Sequence, residues 1–292
     1  MLLYESQTSI IHALAFSPDG VHLASASRDG CLMLHGLDGS AQPLGNSLKT
    51  SPLYAVAFHP ELPLLAYGGE HGWSCLREDE SGQWNPYGPS MATPTSDLAF
   101  LDRKTLAVGL GERLKPAPGR FELWDLPTGR KGEQFYVENQ GVRAVAVAPR
   151  KSVVAWIANQ RNISVWDVRK QDPVKFTQPA ALLAVAINRD ATILAVSHDW
   201  VVHLYDLAKN REMQVLKVHK GKVDALAFSP DGRTLATGSW DRTVRLWDAA
   251  SGREERVYEW PVGRVSRLAF AADGTRLAAG GDTGSVVVWD LE

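Results

Sequence analysis

The feature that most limits the shapes open to this chain is a tetrapeptide that returns seven times. It reads ALAF at 13–16, AVAF at 55–58, DLAF at 97–100, AVAV at 144–147, AVAI at 184–187, ALAF at 225–228 and RLAF at 267–270. Its third residue is alanine in every copy: Ala15, Ala57, Ala99, Ala146, Ala186, Ala227 and Ala269. Successive copies lie 40–42 residues apart, except for one step of 47. A second column keeps the same beat: His35, Arg77, Trp124, Trp166, Tyr205, Trp247 and Trp289 are separated by 42, 47, 42, 39, 42 and 42 residues. Both long steps span one insertion, GERLKPAPGR at 111–120. A fixed period of this length marks an array of one supersecondary unit.

Each copy has the same local grammar. A short apolar strand is followed by a turn such as SPDG (17–20, 229–232) or AADG (271–274), where Pro, Asp and Gly suit tight-turn dihedrals. A second strand (HLASAS, TLATGS), another turn and a third strand (TVRLWD, SVVVWD) come next. The interval before the next copy, such as REMQVLKVH at 211–219, fits a fourth strand of mixed polarity. Helical periodicity is nowhere sustained. Four short strands per copy, seven times over, predict an all-β chain: a seven-bladed β-propeller of four-stranded antiparallel blades, with 1–292 as a single domain.

The alanine column has a physical reason in such a ring. The first strand of each blade lies nearest the axis, where wedge-shaped sheets converge. In ALAF the side chains alternate, so both alanines face one neighbour while Leu and Phe face the other. A large face meeting a small one fills the narrow gap. The last copy stops after its third strand at SVVVWDLE (285–292), while LLYESQ (2–7) precedes the first copy without a place in it. We expect this N-terminal segment to complete the last blade and protect its open edge.

Composition sets the outer limits. Hydrophobic residues make up 45% of the 292, enough for a core, and charged residues 22%. The net charge of −2 argues against a general nucleic-acid binder, which carries a basic field. No apolar run approaches the ~20 residues of a membrane-spanning helix. The start, MLLYESQTSII, lacks a basic region and carries Glu5 and Gln7 where a secretory signal is apolar. Cys31 and Cys75 give neither a disulfide framework nor a metal spacing and read as free thiols in a reducing compartment. These features predict a cytoplasmic protein. No metal motif, nucleophile elbow or phosphate loop is present; GLGERL lacks the third glycine of a dinucleotide fingerprint, Leu114 standing in its place. No cofactor and no metal are expected.

The stretch 219–248 resembles the WD-repeat (WD40) family, and the resemblance extends over the whole chain. The residues that carry it are His219 before the first strand, Thr237 in the second, Asp241 in the turn, and Trp247 with Asp248 closing the third. The resemblance implies a hydrogen-bonded chain from Asp241 through His219 and Thr237 to the Trp247 indole, as a structural brace inside the blade and not a catalytic triad. Other copies depart from the pattern. The fifth has Asp199 and Tyr205-Asp206 without the His. The first keeps Ser25 and Asp29 but has His35-Gly36, and the second has Arg77-Glu78. The third keeps Trp124-Asp125; the fourth and seventh keep Trp166-Asp167 and Trp289-Asp290 but have Gln160 and Thr283 at the turn position. The departures predict uneven stiffness, with blades one and two the softest.

The family likeness also implies where function sits: on the face made by the segments entering the first strands and the turns joining second to third. Carried over copy by copy, the first set is His12, Tyr54, Ser96, Arg143, Leu183, Asp224 and Ser266. The second set is Arg28, Glu70, Asn159, His198, Trp240 and Asp282, with Lys222 and Arg264 two residues ahead of the first. Trp240 stands out, because exposed Trp, Tyr and Arg dominate interface energies. The expected contact patch is Trp240, Tyr54, Arg143, Arg28, His198 and Leu183, with His12, Asp224 and Lys222 beside it. The insertion, with Arg113, Lys115 and Arg120, enlarges the same face in the third copy.

These features favour a non-catalytic scaffold that binds a partner peptide or protein domain around the central channel. They predict a monomeric propeller within a complex, with no nucleic acid and no membrane as partner. A sensor or regulatory module of a larger protein is the first alternative. A propeller hydrolase or lyase at the channel mouth, using His12 or His198, is the second.

Overall fold

Period-two alternation makes each repeat a run of short strands, and hydrogen bonding joins them four at a time into antiparallel sheets. The computed structural model describes residues 1–292 apart from 6, 45–50, 112–117, 138–140, 159–160, 179, 260–262 and 292. Blade one comprises Ile11–Phe16, His22–Ser27, Leu32–Gly36 and Ala41–Pro43. Blade two comprises Leu53–Phe58, Leu64–Gly69, Gly72–Glu78 and Trp84–Met91, and blade three Thr95–Phe100, Thr105–Leu110, Gly119–Asp125 and Arg130–Val137. Blade four follows with Val142–Ala148, Val153–Ala158, Asn162–Asp167 and Val174–Thr177. Blade five has Leu182–Ile187, Ile193–His198, Val201–Asp206 and Arg211–Leu216, and blade six Val223–Phe228, Thr234–Ser239, Thr243–Asp248 and Glu254–Glu259. Blade seven takes Val265–Phe270, Arg276–Gly281 and Val286–Asp290 from the end of the chain and Leu2–Tyr4 from its start. The chain is a seven-bladed propeller closed by its N-terminal strand.

The core lies between the blades, and the alanine column organises it. Ala13 and Ala15 of blade one share a cluster with Val56 and Phe58 of blade two. Ala55 and Ala57 of blade two pack with Leu98 and Phe100 of blade three, and Ala144 and Ala146 of blade four with Val185 and Ile187 of blade five. At the closing seam, Leu14 and Phe16 of blade one pack with Ala278 and Val286 of blade seven. Each small face is thus filled by the next blade's bulky pair.

The turn after the inner strand shows why SPDG recurs. In blade six the Ser229 hydroxyl donates to Asp231 at 2.6 Å and the Gly232 N–H donates to the Ser229 carbonyl at 2.8 Å. Gly232 sits at φ +74°, a left-handed conformation that strains any side chain. Buried serine hydroxyls add polar ties between blades. Ser197 donates to the Val223 carbonyl at 2.7 Å, Ser266 to that of Ile11 at 2.6 Å, and Ser96 to that of Val142. Ser96 and Ser266, expected at the edge of the functional face, are therefore buried between blades.

Several contacts fasten the ring. Leu2 pairs with Val288 and Tyr4 with Val286. The buried Tyr4 hydroxyl crosses to blade one and donates to the Gly36 carbonyl at 2.6 Å. Gly280 of blade seven lies so close to Ile11 of blade one that an added Cβ would fall 2.6 Å from Ile11 Cγ2. Ile11 is fully buried and has nowhere to retreat. Gly280→Ala is therefore expected to force the seam apart and destabilise the fold by about 1–3 kcal/mol. Urea denaturation followed by circular dichroism checks this; an unchanged midpoint would mean that the seam between blades seven and one bears no packing constraint.

Candidate functional site

Blade six contains a continuous hydrogen-bonded chain. The Trp247 indole N–H donates to Thr237 Oγ1 at 2.9 Å, and Thr237 Oγ1 lies 2.6 Å from His219 Nε2. The Asp241 carboxylate only accepts, so neutral His219 carries its proton on Nδ1 and its Nε2 accepts the Thr237 hydroxyl proton. His219 Nδ1–H then faces Asp241 Oδ2 at 2.9 Å. Burial pushes the His219 pKa down, although Asp241 pulls the other way. Burial also opposes the Asp241 carboxylate, but hydrogen bonds from Thr243, the Lys220 N–H and His219 outweigh it and hold the carboxyl at about 2. Thr237 is fully buried and its hydroxyl is engaged on both sides, which leaves it no access to a substrate.

Blade one builds a corresponding chain from other residues. Gln7, on the segment that closes the ring, accepts from Ser25 Oγ at 2.7 Å and donates to the Cys31 carbonyl at 3.0 Å. His35 Nε2 lies 2.7 Å from Ser25 Oγ. With the serine proton directed to Gln7, His35 Nε2–H is the donor and its Nδ1 keeps a lone pair, buried without a hydrogen-bond partner among the described residues. Burial pushes the His35 pKa down to about 4. Blade three uses a buried carboxylate: Glu122 accepts from the Trp124 indole at 2.9 Å and from Lys131 at 3.2 Å, with Arg120 alongside. In blade four the Trp166 indole donates to the Lys170 carbonyl at 3.0 Å. Gln7 and Glu122 escaped sequence reading. Gln7 lies outside any copy, and Glu122 looks like an outward polar residue in an alternating strand.

The candidate face is formed by the second-to-third-strand hairpins and the segments entering the inner strands. Trp240, 37% exposed, is its best-defined element. Its indole N–H donates to Asp224 Oδ2 at 2.8 Å. The Lys222 ammonium lies 5.1 Å and the Arg264 guanidinium 4.7 Å from the ring centroid, within cation–π range. Asp224 also lines a channel cavity of about 210 Å³ with His12, Arg143 and Leu183. Asp97 and Arg267, which sequence reading did not select, line it too. Arg143 Nε–H donates to the Leu183 carbonyl at 3.1 Å. Asp224 thus joins the Trp240 cluster to the channel mouth.

The remaining selected residues lie elsewhere. Tyr54 is buried, not exposed: its ring packs 5.1 Å from that of His12 and its hydroxyl donates to Glu70 at 3.1 Å. His198 turns toward the outer strand of its own blade. Its Nε2 is 2.9 Å from His203 Nε2, and His203 Nδ1 is 2.6 Å from Glu212. Arg28 is exposed on the hairpin of blade one. Asn159, Gln160 and the insertion residues Arg113 and Lys115 lie outside the described residues. Arg120 belongs to a strand and pairs with Glu122, so it is not a loop-tip contact. Trp200, in the hairpin beside His198, is 56% exposed and was overlooked; an aromatic residue in a polar turn was the available signal.

Conventional reactive groups are few here. Burial pushes the Cys75 thiol up to about 12, which leaves no thiolate. Among the described residues, no three His, Cys, Asp or Glu side chains form a metal-ligating group, and no helix is long and apolar enough to cross a membrane.

Seven four-stranded antiparallel sheets in a closed ring define the chain as a β-propeller. The family model described as "WD domain, G-beta repeat" matches residues 2–35, 210–248 and 253–290. Three stretches of the seven-bladed ring thus match WD40 repeats. The serine-threonine kinase receptor-associated protein of Dictyostelium discoideum is 34% identical over 121 residues, covering 41% of this chain and 40% of the relative. Its human counterpart is 29% identical over 119 residues, covering 40% and 33%. Telomerase protein component 1 of Mus musculus is 26% identical over 200 residues, covering 68% of this chain and 7% of that protein. The matches thus span less than half of these relatives.

Two outcomes follow from the buried chains. Thr237→Val keeps the shape but leaves the Trp247 N–H and His219 without their partner, so it should cost about 1–3 kcal/mol in chemical denaturation. His35 supplies a pH dependence: the unfolded chain binds a proton near pH 6.5, whereas the folded chain resists it until about pH 4. The stability held by neutral His35 is therefore complete above pH 6.5 and lost as pH falls toward 4, up to about 3 kcal/mol. His35→Phe lacks this loss, so urea midpoints taken near neutrality and near pH 4 should fall less steeply for the variant. Equal slopes would remove His35 as the source.

Proposed function

We propose that the chain is a non-catalytic protein-interaction scaffold, acting as one propeller domain within a complex. Its partner, a peptide or protein domain, docks on the face around the channel mouth where blades five, six and seven meet. The observation that carries this reading is Trp240: a large aromatic residue kept at the surface, tethered by Asp224 and flanked by two cations. Such a side chain is already ordered before binding, which lowers the entropy lost on association. Relatives support the reading at the level of their names, one being a receptor-associated protein and another a component of telomerase. Ring closure covers the sheet faces between blades, and the loop ends remain as adaptable surfaces.

Affinity capture on the immobilised chain, followed by mass spectrometry, tests the proposal. A partner retained by the native chain should bind Trp240→Ala more weakly by about 2 kcal/mol, roughly 30-fold. Titration calorimetry with that partner measures the change. Undiminished affinity would take Trp240 out of the interface, and the absence of any retained partner would count against a scaffold.

A further inference from the structure

The chemistry of the partner is written in which charges on this face are already engaged. Lys220, Lys222, Arg242 and Arg264 are all exposed around the Trp240 hairpin. The acids beside them are engaged. Asp241 is bound by His219, the Lys220 N–H and Thr243. Asp224 accepts the Trp240 indole N–H. Asp282 accepts the Arg264 backbone N–H at 2.8 Å, and its other oxygen forms a long, partly exposed ion pair with the Arg264 guanidinium at 3.9 Å, which leaves the guanidinium N–H donors open to a closer carboxylate. The Trp240 ring gathers Lys222 and Arg264 without neutralising either.

The channel mouth repeats the pattern. Arg143 and Arg267 line the same cavity. Among the described residues, the Arg143 guanidinium makes one hydrogen bond, from Nε to the Leu183 carbonyl, and its four terminal N–H donors are left for the channel. Burial lowers the Arg143 pKa, Asp224 opposes that, and the charge of Arg267 adds to it. Asp97 in the same cavity already accepts the Val145 and Leu98 N–H groups. Apolar contact area stands next to these cations. The hairpin of Trp200 is tied to the strand entering blade six by the Val223 N–H to the Asp199 carbonyl at 2.7 Å, so Trp200 and Lys222 belong to one rim.

We propose that this face is the docking site of an acidic, extended peptide segment of the partner. Its carboxylates pair with Lys222 and Arg264 and reach Arg143 at the channel mouth, while an apolar side chain rests on Trp200. The proposal deepens the scaffold reading and rests on it. A peptide fits better than a nucleic acid because the cations form one short patch interrupted by Asp97, Asp224 and Asp282, and the chain as a whole carries −2, so it lacks the continuous basic field that follows a phosphate backbone.

Panning random displayed peptides on the immobilised full chain tests this. Selected sequences should be rich in Asp and Glu and poor in Lys and Arg. A representative acidic peptide should bind Lys222→Glu/Arg264→Glu about tenfold or more weakly, since charge reversal replaces attraction with repulsion. Lys151→Glu/Lys170→Glu makes the same change of net charge on the opposite face and should bind as the native chain does. All four positions are exposed, and unchanged melting temperatures establish that both variants are folded. Selection of neutral or basic sequences, or acidic binding that survives Lys222→Glu/Arg264→Glu, would overturn the acidic assignment and leave the scaffold standing. An oligodeoxythymidylate that binds more tightly than the selected peptides, and is lost in the same variant, would overturn it in favour of nucleic acid. No enrichment above a blank surface would overturn the peptide assignment and leave the scaffold reading to the affinity-capture experiment.

Discussion

The seating of each blade's bulky pair on the previous blade's alanines is the contact on which the rest of the structure depends. A four-stranded sheet of strands this short has two apolar faces and little interior of its own. Each face must therefore be covered by a neighbour, and each neighbour has the same need. An open stack would leave two end faces in water. A ring removes both, provided that the first and last blades meet as closely as any other pair. That requirement explains the seam, where Leu14 and Phe16 reach the Ala278 side of blade seven, Gly280 gives way to Ile11, and Leu2–Tyr4 hydrogen-bonds to Val286–Val288.

The blades share a packing rule more strictly than they share side chains. Buried indole N–H groups need an acceptor, and three blades meet that need differently: Thr237 for Trp247, Glu122 for Trp124, and the Lys170 carbonyl for Trp166. Blade one has no tryptophan at the corresponding position. It puts His35 there and draws Gln7 from the closing segment to complete the polar chain. Its stiffness is therefore tied to ring closure, whereas blade six holds its own brace. Departures from the repeat in blades three and four are changes of partner, whereas blades one and two leave His35 Nδ1 and the buried Trp73 indole N–H without a partner among the described residues.

The same contrast explains what could be read from the sequence. Blade number, strand alternation and the closing role of the N-terminal segment follow from periodicity and turn chemistry, and these depend on backbone geometry that local residues dictate. Side-chain partnerships across blades leave no such periodic trace. Tyr54 occupies the expected first-strand position, yet His12 of the preceding blade covers its ring and Glu70 takes its hydroxyl. Ser96 and Ser266 sit among expected face residues but turn inward to carbonyls of the next blade. Trp240 was legible as an aromatic in a polar turn, and Trp200 carried the same signal. The role of Arg264 depends on a cation reaching over a ring in the neighbouring blade, which spacing alone does not report.

Brace and face meet in blade six, and this makes the candidate site rigid. Asp241 receives His219 on its buried side and the Lys220 N–H at the surface. Ser239 donates its hydroxyl to the Gly221 carbonyl, and the Trp240 N–H donates to that of Lys222. The segment carrying Lys220 and Lys222 is thus laced to the hairpin carrying Trp240 by bonds that start in the blade's interior. A surface held this way loses little freedom when a partner arrives. The residue that stiffens the blade also fixes the spacing between the Lys222 cation and the aromatic ring, so interior and interface are one construction. Blade two has Arg77-Glu78 in place of Trp-Asp, and its Tyr54 is folded inward. The candidate surface thus lies on the side of the ring where the repeat is most complete.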